Sequence, residues 1–322
     1  MSMFLERAFA RIHAHCMLST VESSTPMGDS SQPVFQVLFD DAEPSPFAND
    51  ALARYGNLGF PPAPPGRPWI HSNFVQSLDG IVSLLGKHAS GGDISQSTAD
   101  RWLMDLLRAH SDGVLMGMNT LREERRLRGP GNRGILFQVV EPELLELRRN
   151  LGKGRQRNIF VTRAEKLVFS EWKVFDGDVL DAVIVTSPAG TIRLAPQQQS
   201  HPHVTVVPAG KDETIDLGLA MRKLRQHLGI EHLLCEGGPS LYGALARSDL
   251  IDEKFITIAP VEVGQHVPPE QERLPNEEST DPLIRPNVFG GPGFTRETMT
   301  RWTWLSSRKS GDHEFNRYRR KR

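Results

Sequence analysis

The chain has 322 residues, enough for one large domain or two small ones. Its 38 basic and 39 acidic side chains give a formal net charge of −1, so it has no overall positive field to hold nucleic acid or an anionic membrane. No apolar run approaches the roughly 18 residues of a membrane helix, and two isolated cysteines make no disulfide framework. We therefore expect a cytoplasmic protein without nucleic-acid or membrane partners.

The first 66 residues differ in composition from the rest. Residues 19–33 are rich in Ser, Thr and Pro, and they precede a candidate short strand, PVFQVLF, and a candidate short helix, ANDALARYG. The run PPAPPG at 61–66 is typical of a stiff, extended connector. We predict an N-terminal extension and linker over 1–66 and one domain over 67–322.

Beyond residue 66, short apolar runs alternate with amphipathic segments. Strands are predicted at 69–76 and within DGVLMG, RNIFVTR, AVIVT, HVTVV, HLLC and EKFITI. Helices are predicted within ISQSTADRWLMDLLRAH, MNTLREERRL, EPELLELRRN, IDLGLAMRKLRQHL and PSLYGALARSDLI. This alternation indicates an α/β fold with a largely parallel sheet covered on both faces.

The C-terminal quarter of the chain has a different pattern. Residues 265–293 are rich in Pro, Glu and Asn and are predicted to form a long surface loop. TRWTWLSSR and HEFNRYR, on either side of a Ser-Gly-Asp turn, predict an antiparallel hairpin at the sheet edge. The basic tip over 317–322 is typical of a solvated tail.

Four predicted strand ends carry polar or glycine-rich residues, where ligands of parallel α/β sheets usually bind. The strongest candidate runs from Glu236 to Ser240, because paired glycines before a helix let backbone amides approach a phosphate. The segments 117–120, 162–163 and 77–80 are weaker candidates. Each segment has a structural alternative. These are a tight strand-to-helix turn at 236–240, a helix cap at 117–120, a surface arginine at 162–163 and a plain Asp-Gly turn at 77–80.

These segments occur in an order that resembles one protein family. SLDG at 77–80, LRAHSDGVLMGMNT at 107–120, VTR at 161–163, EGGPSLYGAL at 236–245 and LIDEKFITIAPVEVG at 250–264 follow one another. The series resembles the reductase domain of riboflavin biosynthesis, the C-terminal half of bifunctional deaminase-reductases. That resemblance implies a dihydrofolate-reductase-like fold, with a mostly parallel central sheet, flanking helices and a C-terminal antiparallel hairpin.

The resemblance also implies the roles of individual residues. It places Ser77, Arg108 and Glu236 in the substrate pocket. Apart from the resemblance, a proton must reach the reduced product, and Asp79 and Glu236 are the candidate catalytic acids. The implied cofactor-binding residues are Thr120, Glu124, Thr162, Arg163, Gly237, Gly238, Pro239, Ser240, Leu241, Tyr242, Gly243 and Ala244. Thr162 and Arg163 match the site of the NADP 2′-phosphate. Where the family continues with a conserved acid after the GxxT segment, this chain has LREERRLRGPGNRG, and Glu124 stands nearest to that acid.

We therefore expect an NADPH-dependent reductase that transfers hydride to a C=N or C=O carbon of a pyrimidine-, pteridine- or ribosylamino-type substrate. The resemblance further implies a homodimer and requires no metal. A non-catalytic NADP-binding protein is the alternative from another class. Residues 1–66 lack the zinc-ligand pattern of the deaminase half of the bifunctional proteins.

Overall fold

A broad twisted sheet organises the part of the chain that the computed structural model describes, namely residues 33–45, 50–84, 91–129, 131–267 and 284–322. The strands are β1 Gln36–Asp40, β2 Trp69–Gln76, β3 Gly113–Gly117, β4 Arg157–Val161, β5 Asp181–Thr186, β6 Thr205–Pro208, β7 Gly210–Lys211, β8 Thr214–Ile215, β9 His232–Cys235, β10 Glu253–Ile258, β11 Trp302–Ser310 and β12 His313–Arg320. Within these residues, ten strands form one sheet and β7 pairs with β8 in a small antiparallel ribbon.

The helices are α1 Asp50–Tyr55, α2 Gly91–Ser95, α3 Thr98–His110, α4 Met118–Leu127, α5 Pro142–Asn150, α6 Pro188–Ser200, α7 Leu217–Leu228 and α8 Pro239–Arg247. Two short 3-10 turns lie at Phe169–Glu171 and Lys173–Phe175. Helix α3 begins where the Ser97 hydroxyl accepts a hydrogen bond from the Asp100 amide. Helix α7 ends at Gly229, whose φ of +65° is the left-handed conformation that glycine adopts without strain.

The strand order is β1-β11-β12-β10-β2-β9-β3-β4-β5-β6. The seven strands from β10 to β6 are parallel to one another, and β12, β11 and β1 continue the sheet in antiparallel pairing. The predicted fold class, a mostly parallel sheet with flanking helices and a C-terminal hairpin, is confirmed. The hairpin is not the edge of the sheet, however, because β1 pairs with β11 beyond it.

Two apolar clusters cover the two faces of the sheet, since successive strand residues point to opposite sides. On one face, Met116 and Phe160 pack with the leucines of α3 and α5. On the other face, Leu115 and Ile159 pack with α7 and α8. The parallel strands are therefore buried on both sides, which explains their continuous apolar sequences.

Pro33–Arg322 forms one compact unit. The described residues before position 66 contribute β1 and α1 to it. Phe35 is buried against the hairpin residue Phe315, and Tyr55 is buried against Phe35. Arg308 of β11 donates to the Tyr55 carbonyl and to Asp40, which joins this segment to the hairpin. The division of the chain at residue 66 stays a prediction.

The basic tip is the end of β12, and the expectation of a solvated tail is wrong for most of it. Arg317 is buried and pairs with Glu253 at 2.7 Å. Arg319 also bonds Glu253, and it holds the Glu43 carboxylate in an ion pair that lowers the pKa of Glu43 to about 2. Arg320 pairs with Asp249. Glu253 comes from the paired strand β10, whereas Glu43 and Asp249 come from loops, and the linear sequence does not reveal these contacts.

Helix α6 and most of the five-residue helix α2 were missing from the sequence prediction. The segment SPAG after β5 has the composition of a turn, yet Ser187 caps α6 by accepting from the Gly190 amide at 3.1 Å. Pro188 occupies the first helical turn, where its missing N–H costs nothing. Among the described residues, no helix is long and apolar enough to cross a membrane.

Candidate functional site

Four of the predicted segments meet at one edge of the sheet. The turn at 77–80 follows β2, the segment at 236–240 follows β9, the segment at 117–120 follows β3, and Thr162 follows β4. These four strands are neighbours in the order β2-β9-β3-β4 and run parallel. The carboxyl ends of the four strands therefore form one continuous rim, the position at which such sheets bind ligands.

Gly237 lies directly against β3. A Cβ atom added there would stand 2.2 Å from Met116 Cα and 2.7 Å from the Gly117 amide nitrogen. Both are backbone atoms, which cannot rotate away as a side chain can. The close approach of the two strand ends therefore requires glycine at this position. Gly238 has a φ of +30°, and its Cβ position is 3.4 Å from the Thr120 hydroxyl. Thr120 and the glycine loop are thereby brought together.

Helix α8 begins at this loop with its amides directed at the rim. Its N-cap is Gly238, no side chain caps it, and Pro239 fills its first turn. An uncapped helix N-terminus beside a glycine loop presents N–H groups and the positive end of the helix dipole to an anion. Ser240 is exposed in the first turn. These features fit the pyrophosphate of a dinucleotide cofactor.

The later residues of the predicted cofactor segment are covered by protein. Gly243 faces Gly290, whose carbonyl oxygen would stand 2.0 Å from an added Cβ, and the Gly290 amide bonds the Pro239 carbonyl at 2.9 Å. Tyr242 is buried against Phe74 and Phe289, and burial raises the pKa of its hydroxyl. Leu241 packs at the margin of the same apolar cluster and Ala244 is half-buried. The contacts of Tyr242, Gly243 and Leu241 are packing contacts.

Glu236 and Arg108 form a bidentate ion pair at the rim. Arg108 Nε donates to Glu236 Oε1 at 2.7 Å and Nη2 donates to Oε2 at 2.6 Å. Arg108 Nη1 donates to Asp105 Oδ1 at 2.8 Å, one turn earlier on α3. The side chains of Arg108 and Glu236 are only 9% and 7% exposed. Burial disfavours the charged guanidinium, but the two carboxylates outweigh it and raise the pKa of Arg108.

Asp105 is a site residue that the sequence interpretation missed. Burial raises the pKa of its carboxyl, Arg108 lowers it and Glu236 raises it further. The available signal was the three-residue spacing between Asp105 and Arg108, which places both side chains on the same face of a helix.

Ser77 and Asp79 hold a turn together. The Ser77 hydroxyl donates to Asp79 Oδ1 at 2.6 Å and accepts from the Ile81 amide at 2.9 Å. Asp79 also accepts from the amides of Val263 and Gly264 at 3.1 and 2.7 Å. The Ser77 hydroxyl and these amides stabilise the anion and lower the pKa of Asp79. These contacts are those of an ionised loop clamp, and a carboxyl with a lowered pKa is a poor proton donor near neutral pH.

Thr162 and Arg163 occupy the outer part of the rim. The Thr162 hydroxyl accepts from the Ala164 amide at 3.0 Å, and Arg163 is 64% exposed with Glu165 at 3.5 Å. Arg193 donates to the Arg163 carbonyl and Arg122 donates to the Glu165 carbonyl. These two arginines, which the sequence interpretation did not select, fix the backbone that carries Arg163.

Glu124 lies on α4, one turn after Thr120. Burial raises the pKa of its carboxyl, while Arg128, with Nε 4.0 Å away, lowers it. Helical spacing thus places Glu124 on the same side of α4 as Thr120. Its role in cofactor binding stays a prediction.

Two curated proteins are similar to this chain in sequence. A reductase from Archaeoglobus fulgidus, named 2,5-diamino-6-ribosylamino-4(3H)-pyrimidinone 5′-phosphate reductase, is 26% identical over 62% of this chain and 83% of its own length. A protein of the same name from Methanothermobacter thermautotrophicus is 25% identical over 62% of this chain and 80% of its own length.

Among solved structures, a pyrimidine reductase-like protein from Corynebacterium diphtheriae matches with a TM-score of 0.58 and 22% identity, over 85% of this chain and all of its own. RibD from Acinetobacter baumannii matches with a TM-score of 0.55 and 17% identity, over 80% of this chain. The present chain spans 59% of that RibD chain. The chain thus shares its fold with these two structures.

A model of the RibD C-terminal domain family matches residues 68–287, more than half of the chain. The predicted resemblance is confirmed, and the chain belongs to the RibD C-terminal domain family.

Proposed function

We propose that this chain is an NADPH-dependent reductase that transfers hydride to a C=N or C=O carbon of a pyrimidine-, pteridine- or ribosylamino-type substrate. The observation that carries the proposal is the glycine loop at the start of α8, wedged against β3 and adjoining the buried Glu236. Two curated relatives are named as reductases of a ribosylamino-pyrimidinone phosphate. Membership of a reductase family agrees with the predicted enzyme class and implies a nicotinamide cofactor.

The residues of the rim suit NADPH. We assign binding of the pyrophosphate to the amides at the start of α8, with the Thr120 hydroxyl as a further cofactor contact beside them. We assign binding of the 2′-phosphate to Thr162 and Arg163. Arg163 supports the last assignment because an exposed guanidinium can offer two parallel hydrogen bonds to a phosphate. When bound, NADPH supplies the hydride, and the protein contributes orientation and electrostatics.

The substrate would lie beside Glu236, next to the glycine loop. Glu236 is held rigidly and most of its side chain is removed from water, so it can orient a heterocycle through hydrogen bonds. Reduction of a C=N or C=O bond adds a hydride to carbon and a proton to the heteroatom. Arg108 already donates to both oxygens of Glu236, and three hydrogen bonds hold Asp79, so we assign delivery of the proton to a water that Glu236 would hold beside the glycine loop.

Turnover tests the proposal against the alternative of a non-catalytic NADP-binding protein. Purified protein is mixed with NADPH and the ribosylamino-pyrimidinone 5′-phosphate on which the relatives are named, and the absorbance of reduced nicotinamide is followed. We expect a decrease that requires both protein and acceptor and equals the reduced product formed. Saturable NADPH binding without oxidation, with this acceptor and with its pteridine and dephosphorylated counterparts, would favour the non-catalytic alternative.

Three further expectations stay proposals: a homodimer, which rests on the resemblance, and a cytoplasmic location and a domain boundary at residue 66, which rest on the composition of the sequence. Light scattering on the purified chain tests the first of these. A monomer at micromolar concentration would contradict it.

A further inference from the structure

Three histidines lie together near the amino ends of β2 and β9, away from the rim. They are His71 of β2, His110 at the end of α3 and His232 at the start of β9. The ring of Phe60 contacts all three, with centroid distances of 4.5, 5.8 and 5.9 Å respectively. His71 and His110 are buried, whereas Phe60 is only half-buried. Lifting this one ring would therefore give water access to the imidazoles.

Phe60 belongs to residues 55–61, which we call the docked segment. Alternate carbonyl oxygens of this segment accept hydrogen bonds from the rest of the domain, namely those of Tyr55, Asn57, Gly59 and Pro61. Arg308 donates to the first two, and Arg317 donates to the third at 2.6 Å. His232 Nε2 donates to the fourth at 3.0 Å. Because arginine stays protonated, the histidine is the one donor among these three whose charge changes near neutral pH.

Two ring nitrogens of the cluster are buried without a hydrogen-bond partner. Ser111 Oγ donates to a carbonyl of α3, so it accepts from His71 Nε2 at 3.1 Å. His110 Nδ1 donates to the Leu106 carbonyl at 2.9 Å. His71 Nδ1 and His110 Nε2 therefore carry no hydrogen, and neither has a partner among the described residues. A proton taken up at either atom while Phe60 is docked would create a buried N–H group without an acceptor, which is unfavourable.

The charged groups around the cluster also oppose a positive charge on the imidazoles. The charged side chains next to the three rings are Lys153, Arg148, Arg317, Asp112, Glu231 and Glu253. Each of these carboxylates already pairs with a lysine or an arginine. A proton on His232 Nδ1 would face the ammonium group of Lys153, 3.2 Å away. Burial and the neighbouring cations keep the pKa of all three histidines below its ordinary value, that of His110 at about 4.

We infer that Phe60 and the three histidines form a proton-sensitive latch for the docked segment. At neutral pH the imidazoles are uncharged, and Phe60 stays packed on them. In acid, the imidazoles take up protons when Phe60 lifts, and the hydrated imidazolium ions keep the docked segment released while the central strands stay folded. The latch lies away from the rim and does not depend on the proposed reductase function.

The test is hydrogen exchange of the full chain, measured by mass spectrometry at pH 7 and pH 5 and corrected for the intrinsic pH dependence of amide exchange. Helix α1 ends in the docked segment, and the Gly56 amide donates to the Leu52 carbonyl at 2.7 Å. Peptides over residues 50–60 therefore report release of the latch, whereas peptides over β4 and β5 report global unfolding.

The size of the effect follows from the pKa of His110. A pKa that changes from about 4 in the docked state to 6.5 in water makes release about 20-fold more favourable at pH 5 than at pH 7. We expect at least this loss of protection over residues 50–60, with protection over β4 and β5 retained. In His110→Gln the loss should be about 20-fold smaller. Phe60→Leu, which covers the imidazoles less completely, should lower protection over residues 50–60 already at pH 7.

His201→Gln is the matched control, because His201 also contacts a phenylalanine ring, that of Phe169, but lies at the end of α6. It should keep the pH dependence of the wild-type protein. If His110→Gln does not fold, His232→Gln replaces it, since glutamine can still donate to the Pro61 carbonyl but does not titrate; its pH dependence should also be weaker.

Equal protection over residues 50–60 at the two pH values in the wild-type protein would overturn the inference. An unchanged pH dependence in the histidine variants would do so as well, because it would show that other groups cause the release. Loss of protection to the same extent over β4 and β5 would also contradict the latch, because the acid would then unfold the whole domain.

Discussion

Gly237 offers the sharpest structural perturbation of the proposed cofactor site. In Gly237→Ala, the new methyl group would stand 2.2 Å from Met116 Cα and 2.6 Å from Met116 Cβ. Carbon atoms normally approach no closer than about 3.5 Å, so the ends of β9 and β3 must separate by more than about 1 Å. These are backbone and Cβ atoms inside a parallel sheet, and a side-chain rotation cannot relieve the contact.

Overpacking of this kind costs about 1–3 kcal/mol of unfolding free energy, which corresponds to a fall of roughly 5 °C in the thermal midpoint of a protein of this size. The same shift displaces Glu236 and the start of α8 from their partners. We expect NADPH affinity to fall about 10-fold or more, since a displacement of about 1 Å can cost about 100-fold in a positioned site.

Calorimetry and a fluorescence titration with NADPH measure the two effects. Gly154→Ala is the control, because no atom lies within 4 Å of its added Cβ, and it should behave as the wild-type protein does. A Gly237→Ala variant with unchanged midpoint and unchanged NADPH affinity would refute the close approach of the ends of β9 and β3 on which the site depends.

Three other predictions follow from the geometry. Asp79→Asn should lower the thermal midpoint by a few degrees and spare kcat, because Asp79 clamps a loop; lost turnover at an unchanged midpoint would show that Asp79 takes part in the chemistry. Burial lowers the pKa of His110 from 6.5 to about 4, so between those pH values the unfolded chain binds a proton that the folded protein does not. His110 should by itself lower the unfolding free energy by roughly 3 kcal/mol as the pH drops across that range, and urea unfolding of His110→Gln should show a shallower pH dependence; an unchanged slope would contradict this. Arg163→Ala should weaken NADPH binding about 10-fold and NADH binding much less; equal losses would refute the 2′-phosphate assignment.

Much of the fold could be predicted because buried parallel strands and amphipathic helices have strong local patterns. The apolar runs correctly indicated the strands β2, β3, β4, β9 and β10. Helix α3 begins after its N-cap Ser97, and helix α7 ends before its C-cap Gly229. Helix α6 was missed because its Ser-Pro-Ala-Gly start looks like a turn, and only the three-dimensional structure shows that Ser187 caps it. The pairing of β1 with β11 depends on contacts about 270 residues apart in sequence, for which no local pattern exists.

For the site, the sequence identified the rim but not the contacts within it. The order of the strands could bring Thr120 to Gly238 and Glu236 to the same edge, and the structure does so. That Arg108 pairs with Glu236 depends on how α3 packs across the sheet, and the sequence does not encode this in any spacing. The covering of Gly243 by Gly290 likewise depends on a loop distant in sequence.

The most direct test of the central claim is a fluorescence titration of the purified chain with NADPH and, alongside it, with NADH. We predict saturable binding of NADPH, at least about 10-fold tighter than that of NADH, because Arg163 would contact the 2′-phosphate. Absence of saturable binding by either nucleotide would mean that the glycine loop before α8 is only a turn, and the proposed reductase function would be contradicted.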